Sequence, residues 1–250
     1  MEDRDTSGKP GIRLARSRNG ADVRAGLQTG TASAILAPQS SILVKRLGIA
    51  DYEATWRAMR EFTARRDAAT PDELWVLQHP PVYTVGVAGR VAHLPRVDNG
   101  VPVVATDRGG QITYHGPGQA VIYLLLDMRR CGLQVRPLVR LMECAVIELL
   151  AAHGVAACGR VDAPGVYVGA DKIAALGLRI KNACCYHGLA LNIDMDLSPF
   201  LAIDPCGYPG LGVTRTADIG ITDNAASLTK ELVTILLASL QQRLRRTDTV

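Results

Sequence analysis

"GVYVGADKIAALGLRI", residues 165–180, places two aliphatic, β-rich runs on either side of Gly169, Ala170 and Asp171. Two such runs separated by a short turn read as a hairpin, and a hairpin is antiparallel by construction. The next run, "YHGLALNID" (186–194), reads as a further strand. Upstream, "LWVLQHPPVYTVG" (74–86) is a strand, a proline break and a second strand, because proline cannot donate to a ladder. "VPVVATD" (101–107) and "QAVIYLLLD" (119–127) are strands flanking a glycine-rich connection. Helices are expected in three places: from the capping residue Asp51 to about Arg66, over 136–153 with Gly154 ending it, and over about 226–246. On the first of these, Tyr52, Trp56, Met59 and Phe62 share one face. Short strands, tight turns and three separated helices define a single α/β (α+β) domain with a mixed, largely antiparallel sheet. The domain spans 41–250. Residues 1–40 lack a hydrophobic period and read as a disordered N-terminal extension.

Composition narrows the function. The chain has 250 residues, of which 48% are hydrophobic and 21% charged, an ordinary globular balance. A net charge of +4, with 4% aromatic residues and no basic block, gives no footprint for nucleic acid. It still favours encounter with an acidic protein partner. No apolar run is long enough to span a membrane, and no secretory signal is seen. The six cysteines, at 131, 144, 158, 184, 185 and 206, form no CxxC pair. Reduced thiols in a cytoplasm are therefore expected, and a zinc site is not.

Three stretches carry chemistry. "RGGQITYHGPGQ" (108–119) concentrates Gly109, Gly110, Gly116 and Gly118, which lets backbone approach a ligand closely, although a plain hairpin loop reads equally well. It has neither phosphate-loop spacing nor a GxGxxG opening. Lys172 begins "KIAALGLRI", where a lysine after a turn is ordinarily a solvated residue. Gly177 and Gly188 sit inside strands, and a strand glycine marks the close approach of a ligand or another backbone. A slot for something long, thin and apolar is the expectation. Finally, "IDPCGY" (203–208) holds Cys206 between Pro205 and Gly207, a costly setting for a packing residue.

Together, "RGGQITYHGPGQAVIYLLLD", "APGVYVGADKIAALGLRI" and "HGLALNIDMDLSPFLAIDPCG" closely resemble the lipoyl(octanoyl) transferase family over about residues 41–245. The resemblance implies the biotin/lipoate ligase catalytic fold, and octanoyl transfer from acyl carrier protein to a lysine of lipoyl domains. Acceptors of that kind belong to 2-oxoacid dehydrogenases and to the glycine cleavage H protein. It implies no cofactor and no metal. The acyl-carrying cysteine maps to Cys206 and the lysine that lowers its pKa to Lys172. Substrate contacts map to Arg108, Gly109, Gly110, Gln111, Ile112, Thr113, Tyr114 and His115, to Ala175, Leu176 and Gly177, and to Gly188, Leu189 and Ala190. Two features depart from the family pattern: residues 1–40 have no counterpart, and Val87 stands where glutamine is common. Cys184 and Cys185 fall in a variable stretch before the strand and read as small buried or edge residues.

The residues support that chemistry by themselves. A thioester donor calls for a thiolate, and a free thiol is only a few per cent ionised at neutral pH. Lys172 supplies a charge to stabilise it and, unlike an arginine, can also shuttle a proton. Main-chain N–H groups near Cys206 or in the glycine loop are the oxyanion donors expected. Two rivals use the same scaffold: an ATP-dependent lipoate or biotin ligase, which needs no nucleophilic cysteine, and a non-catalytic binding module in which Cys206 is merely packed.

Overall fold

The computed structural model describes residues 42–247, so the expected N-terminal extension lies outside the described residues. The chain runs through β1 (Leu43–Ile49), α1 (Tyr52–Arg65), β2 (Glu73–Gln78), β3 (Val82–Val85) and β4 (Val103–Ala105). It continues through β5 (Ile112–His115), β6 (Gln119–Asp127), α2 (Val135–Ala152), β7 (Cys158–Gly159) and β8 (Gly165–Val168). β9 (Asp171–Lys181), β10 (Cys184–Asn192) and α3 (Ala225–Thr247) complete it. Seven strands form one sheet in the order β1-β2-β6-β10-β9-β8-β7, and β4-β3-β5 form a second. Among the described strands only the β1–β2 and β3–β4 pairs run parallel, so the sheets are mixed and largely antiparallel, as the hairpin at 165–180 predicts.

β6 is the spine of the larger sheet. Its side chains alternate between two apolar clusters, as a strand covered on both faces requires. Ile122, Leu124 and Leu126 meet Leu138, Met142 and Val146 of α2 and Leu232 and Leu236 of α3. Val121, Tyr123 and Leu125 meet Met59 of α1, with Trp75 and Leu77 of β2. Each such side chain contributes roughly 1.5–3 kcal/mol by leaving water.

The ends of the elements follow local chemistry. The Asp51 carboxylate accepts from Ala54 N at 2.8 Å and caps α1. α2 stops in a Schellman turn: Gly154, at φ +77°, donates to Ala151 O and Val155 donates to Leu150 O. Two sequence expectations need correction. The glycine-rich connection contains a strand, because Ile112–His115 pairs with β3 through Tyr83↔Tyr114. Cys184 and Cys185 belong to β10 rather than preceding it, and both are buried.

One buried ion pair anchors the far edge of this core. Asp72 and the Arg66 guanidinium are each 3% exposed and paired, and Asp72 also accepts from Asp127 N at 2.8 Å. Asp72→Ala strands a buried cation and is expected to cost about 3–5 kcal/mol in urea unfolding. The exposed pair Arg65–Glu61 is the control: Arg65→Ala should cost no more than about 0.5 kcal/mol.

Candidate active site

The loop from Arg108 to Gln111 is held by its own first side chain. Arg108 is buried, at 8% exposure. Its Nη2 donates to Thr84 O at 2.6 Å and to Gln111 O at 2.8 Å, its Nη1 to Gly109 O at 2.9 Å, and its Nε to Thr84 Oγ1 at 3.1 Å. Gly86 N adds a bond to Gln111 O and Ala88 N one to Gly110 O. Gly110 takes φ +86°, the left-handed region that a side chain would resist. The guanidinium thus works on the loop itself, tying it to β3.

The pinned loop lies on the strands that the sequence motifs single out. Gly109 N donates to Leu178 O at 2.9 Å. Ala175, Leu176 and Gly177 of β9 pair residue for residue with Ala190, Leu189 and Gly188 of β10. The expected slot between the two glycines needs correction, because protein fills the space beside each. A β-carbon on Gly177 would lie 3.0 Å from Gly109 O, and one on Gly188 would collide with Ile122 O. These glycines admit backbone. The Ala175–Leu178 run beside the loop is half-buried.

Pro205–Gly207 forms a single 3₁₀ turn, with Gly207 N donating to Asp204 O at 2.8 Å. Gly207 adopts φ +73°, and a β-carbon there would collide with the Gln111 side chain. Cys206 is therefore followed by a residue that packs directly on the Arg108-pinned loop. The segment leaving this turn reaches Lys172: Lys172 N donates to Gly212 O and Thr214 N to Lys172 O, at 2.9 and 3.0 Å. Lys172 is not the solvated residue that its position after a turn suggests. It is 4% exposed, with Nζ donating to Pro164 O at 2.9 Å and 5.4 Å from the Tyr167 ring centre. Gly165 is small because Nζ would lie 2.8 Å from any β-carbon there.

Beside this site lies a buried polar cluster in which the sequence reading singled out His115 and missed Asp107, His187 and His79. Asp107 accepts from Trp56 Nε1 at 2.7 Å, Tyr186 OH and His187 Nε2 at 3.1 Å. Burial works to raise the Asp107 pKa, but those hydrogen bonds outweigh it and hold the carboxyl well below its ordinary range. His79 Nδ1 bonds to Ala50 O, which leaves Nε2 to accept from Tyr123 OH, both at 2.7 Å. His115 Nδ1 bonds to Gln119 Oε1 at 2.7 Å, and Tyr52 stacks on its ring. Burial pushes His79 down to about 4 and His115 down to about 3, so both imidazoles are neutral. The available signal was a polar residue interrupting an apolar strand, as in "LWVLQHPP" and "HGLALN".

The other buried thiols are chemically quiet. Burial pushes Cys185 up to about 12 and raises Cys184, while burial and then Asp72 raise Cys131. A protonated thiol is a poor nucleophile.

Comparison with known proteins gives the class of this domain. The family model described as the lipoyl protein ligase A/B catalytic domain matches residues 51–246. Solved structures agree on the fold. A lipoate-protein ligase A bound with ATP superposes at TM-score 0.64 with 15% identity, covering 83% of this chain and 86% of that one. An archaeal bipartite lipoate protein ligase from Thermoplasma acidophilum gives 0.60 with 15% identity, covering 83% and 85%. Curated relatives are much nearer in sequence. The octanoyltransferase of Nitrosospira multiformis is 62% identical over 203 residues, 81% of this chain and 94% of the relative. That of Aromatoleum aromaticum is 60% identical over 196 residues, 78% and 84% of the two chains. The chain belongs to the octanoyltransferase family, and is an acyltransferase on the lipoyl protein ligase A/B catalytic fold.

The neutral histidines have a measurable consequence. An unfolded chain binds their protons near pH 6.5, whereas the fold refuses them until about pH 4 for His79 and about pH 3 for His115. Stability is therefore whole above pH 6.5 and drains as pH falls toward 4. At about 1.4 kcal/mol per pH unit and histidine, the pair should remove on the order of 3 kcal/mol between pH 7 and pH 5. Urea midpoints at the two pH values check this, and His79→Asn should flatten the slope.

Proposed function

We propose that the chain transfers an octanoyl group from octanoyl-acyl carrier protein to a lysine of lipoyl domains, through a thioester on Cys206. The acceptors meant are the lipoyl domains of 2-oxoacid dehydrogenases and the glycine cleavage H protein, and the setting is the cytoplasm. The observation that carries the reading is Lys172. It is a buried amine held by Pro164 O, on the strand position whose backbone pairs with the segment leaving the Cys206 turn. Taking a lysine out of water at such a position costs several kcal/mol unless the charge is used.

The chemistry runs in two displacements. The Cys206 thiolate attacks the donor's thioester carbon, and the carbonyl π pair moves onto oxygen. When the tetrahedral adduct collapses, the C–S bond to the carrier's thiol breaks, and that thiolate takes the proton that Cys206 gave up. Lys172 stabilises the thiolate and relays the proton. In the second displacement the neutral acceptor amine attacks the acyl-enzyme, an amide C–N bond forms and the C–S bond to Cys206 breaks. One amine proton returns through Lys172 to the Cys206 sulfur. Thioester to amide runs downhill, so neither step calls for ATP.

The residues around Arg108 take a supporting part. Arg108 sets the loop, while Gln111, Ile112, Thr113, Tyr114 and His115, together with Ala175, Leu176 and Gly177, border the acyl chain. Gly188, Leu189 and Ala190 back them from β10. Family resemblance to ATP-bound lipoate-protein ligase A makes the nucleotide the decisive variable.

Octanoyl transfer from acyl carrier protein to a lipoyl domain should proceed equally with and without ATP, and a strict ATP requirement would replace this reading with the ligase one. Lys172→Ala should slow iodoacetamide alkylation of Cys206 near neutral pH. Lys172→Arg should keep that alkylation fast yet lose transfer by about two orders of magnitude, because guanidinium does not give up its proton.

A further inference from the structure

One exposed segment, residues 86–97, straps the Arg108 loop to the approach of the Cys206 turn. At its start, Val87 N donates to Arg108 O at 3.0 Å and Ala88 N to Gly110 O at 3.1 Å. At its end, Arg96 N donates to Ala202 O at 2.8 Å, and the Arg96 guanidinium donates to Leu201 O, Ile203 O and Asp204. The backbone of the strap is thus anchored at both ends, while its large side chains face water. Val87 is 63% exposed, Val91 79% and Val97 60%, and Leu201 at the anchored end is 79% exposed. Single apolar side chains in water are ordinary. These four belong to one strap and its anchor on the rim of the site, and such a concentration marks a protein-binding surface. The strap is also cationic: it holds Arg90, His93 and Arg96 and no carboxylate. Asp204 engages Arg96, whereas Arg90 is exposed and in no ion pair among the described residues.

We propose that residues 86–97, together with Leu201, are the docking surface for the carrier protein of the acyl donor, an acidic protein that presents apolar side chains among its carboxylates. The proposal rests on reading octanoyl-acyl carrier protein as the donor. Complementary charge selects an acidic partner and speeds its encounter, while the exposed valines and leucine supply the contact that holds it. Placement selects the donor. The strap borders the loop and the approach to Cys206, where the carrier's thioester must arrive. Among the described residues no backbone bond joins the strap to β9 or to residues 208–214, so the Lys172 side is left to the acceptor.

A docking surface acts on the protein part of the donor and leaves the thioester alone. Two donors separate these parts: octanoyl-acyl carrier protein, and octanoyl-pantetheine, which carries the same thioester without the protein. Wild type, Arg90→Glu and the double variant Val91→Asp/Leu201→Asp are assayed with each donor at saturating lipoyl domain, and then with the lipoyl domain varied. With the carrier, KM should rise about tenfold in Arg90→Glu and about a hundredfold in the double variant, with kcat held within about twofold. With octanoyl-pantetheine, kcat/KM should stay within about twofold of wild type in both. Added salt should raise the carrier KM of wild type and leave that of Arg90→Glu nearly unchanged. A carrier KM unaltered in the double variant would overturn the proposal. So would equal losses with both donors, which a distorted loop gives, or a raised KM for the lipoyl domain, which would make the strap the acceptor's surface. If wild type uses neither donor, the donor reading itself has failed, and the proposal with it.

Discussion

The buried guanidinium of Arg108 is the constraint on which the site depends. A cation taken out of water must have its N–H groups met, and here Thr84, Gly109 and Gln111 meet them. Those partners belong to β3 and to the loop that follows Arg108, so satisfying one side chain welds the small sheet to the loop. The loop in turn rests on β9 through Gly109 and Leu178. Gly177 and Gly207 then appear as consequences: each is a place where this packing brings protein too close for a β-carbon.

A second layer of order comes from the rings beneath. Tyr52 of α1, His79 after β2 and His115 of β5 stack and cross with ring centres within 6 Å of one another, and Tyr123 of β6 joins them through His79. Neutral imidazoles permit this, since each bonds through one nitrogen to a carbonyl or amide oxygen and avoids carrying charge into the interior. Arg108 adds its field and lowers His115 further, after burial has done most of it. The helix, both sheets and the loop are joined by polar contacts whose cost is met internally.

Much of the fold was legible from 165–180, 119–127 and 136–154, because hairpin spacing, an unbroken apolar run and a capping glycine are local signals. β5 was not, since four residues between glycines read as loop until β3 supplies a partner. The site divided in the same way. Cys206, Lys172 and the loop at 108–115 stand in contiguous motifs and could be singled out. Arg108 and the glycines were singled out as substrate contacts; what could not be read from the sequence is that Arg108 also bonds the backbone of its own loop and that Gly177 and Gly188 also admit neighbouring backbone. Asp107, His187 and His79 were missed because their partners lie about 30 to 80 positions away, as with Trp56 and Asp107 or His187 and Asp107.

The proposed chemistry comes down to whether a sulfur carries the acyl group, and which one. Cys131, Cys184 and Cys185 are buried and raised, while Cys144 and Cys158 are exposed on α2 and β7, away from the Arg108 loop. Only Cys206 sits in a turn packed on that loop and leading to Lys172. The direct measurement is peptide mapping of the wild-type protein after brief mixing with octanoyl-acyl carrier protein and no acceptor. The account predicts one octanoyl thioester, sensitive to hydroxylamine, on the peptide containing Cys206, and its disappearance when a lipoyl domain is added. An adduct on Cys184 or Cys185, or one that a lipoyl domain does not discharge, would contradict it.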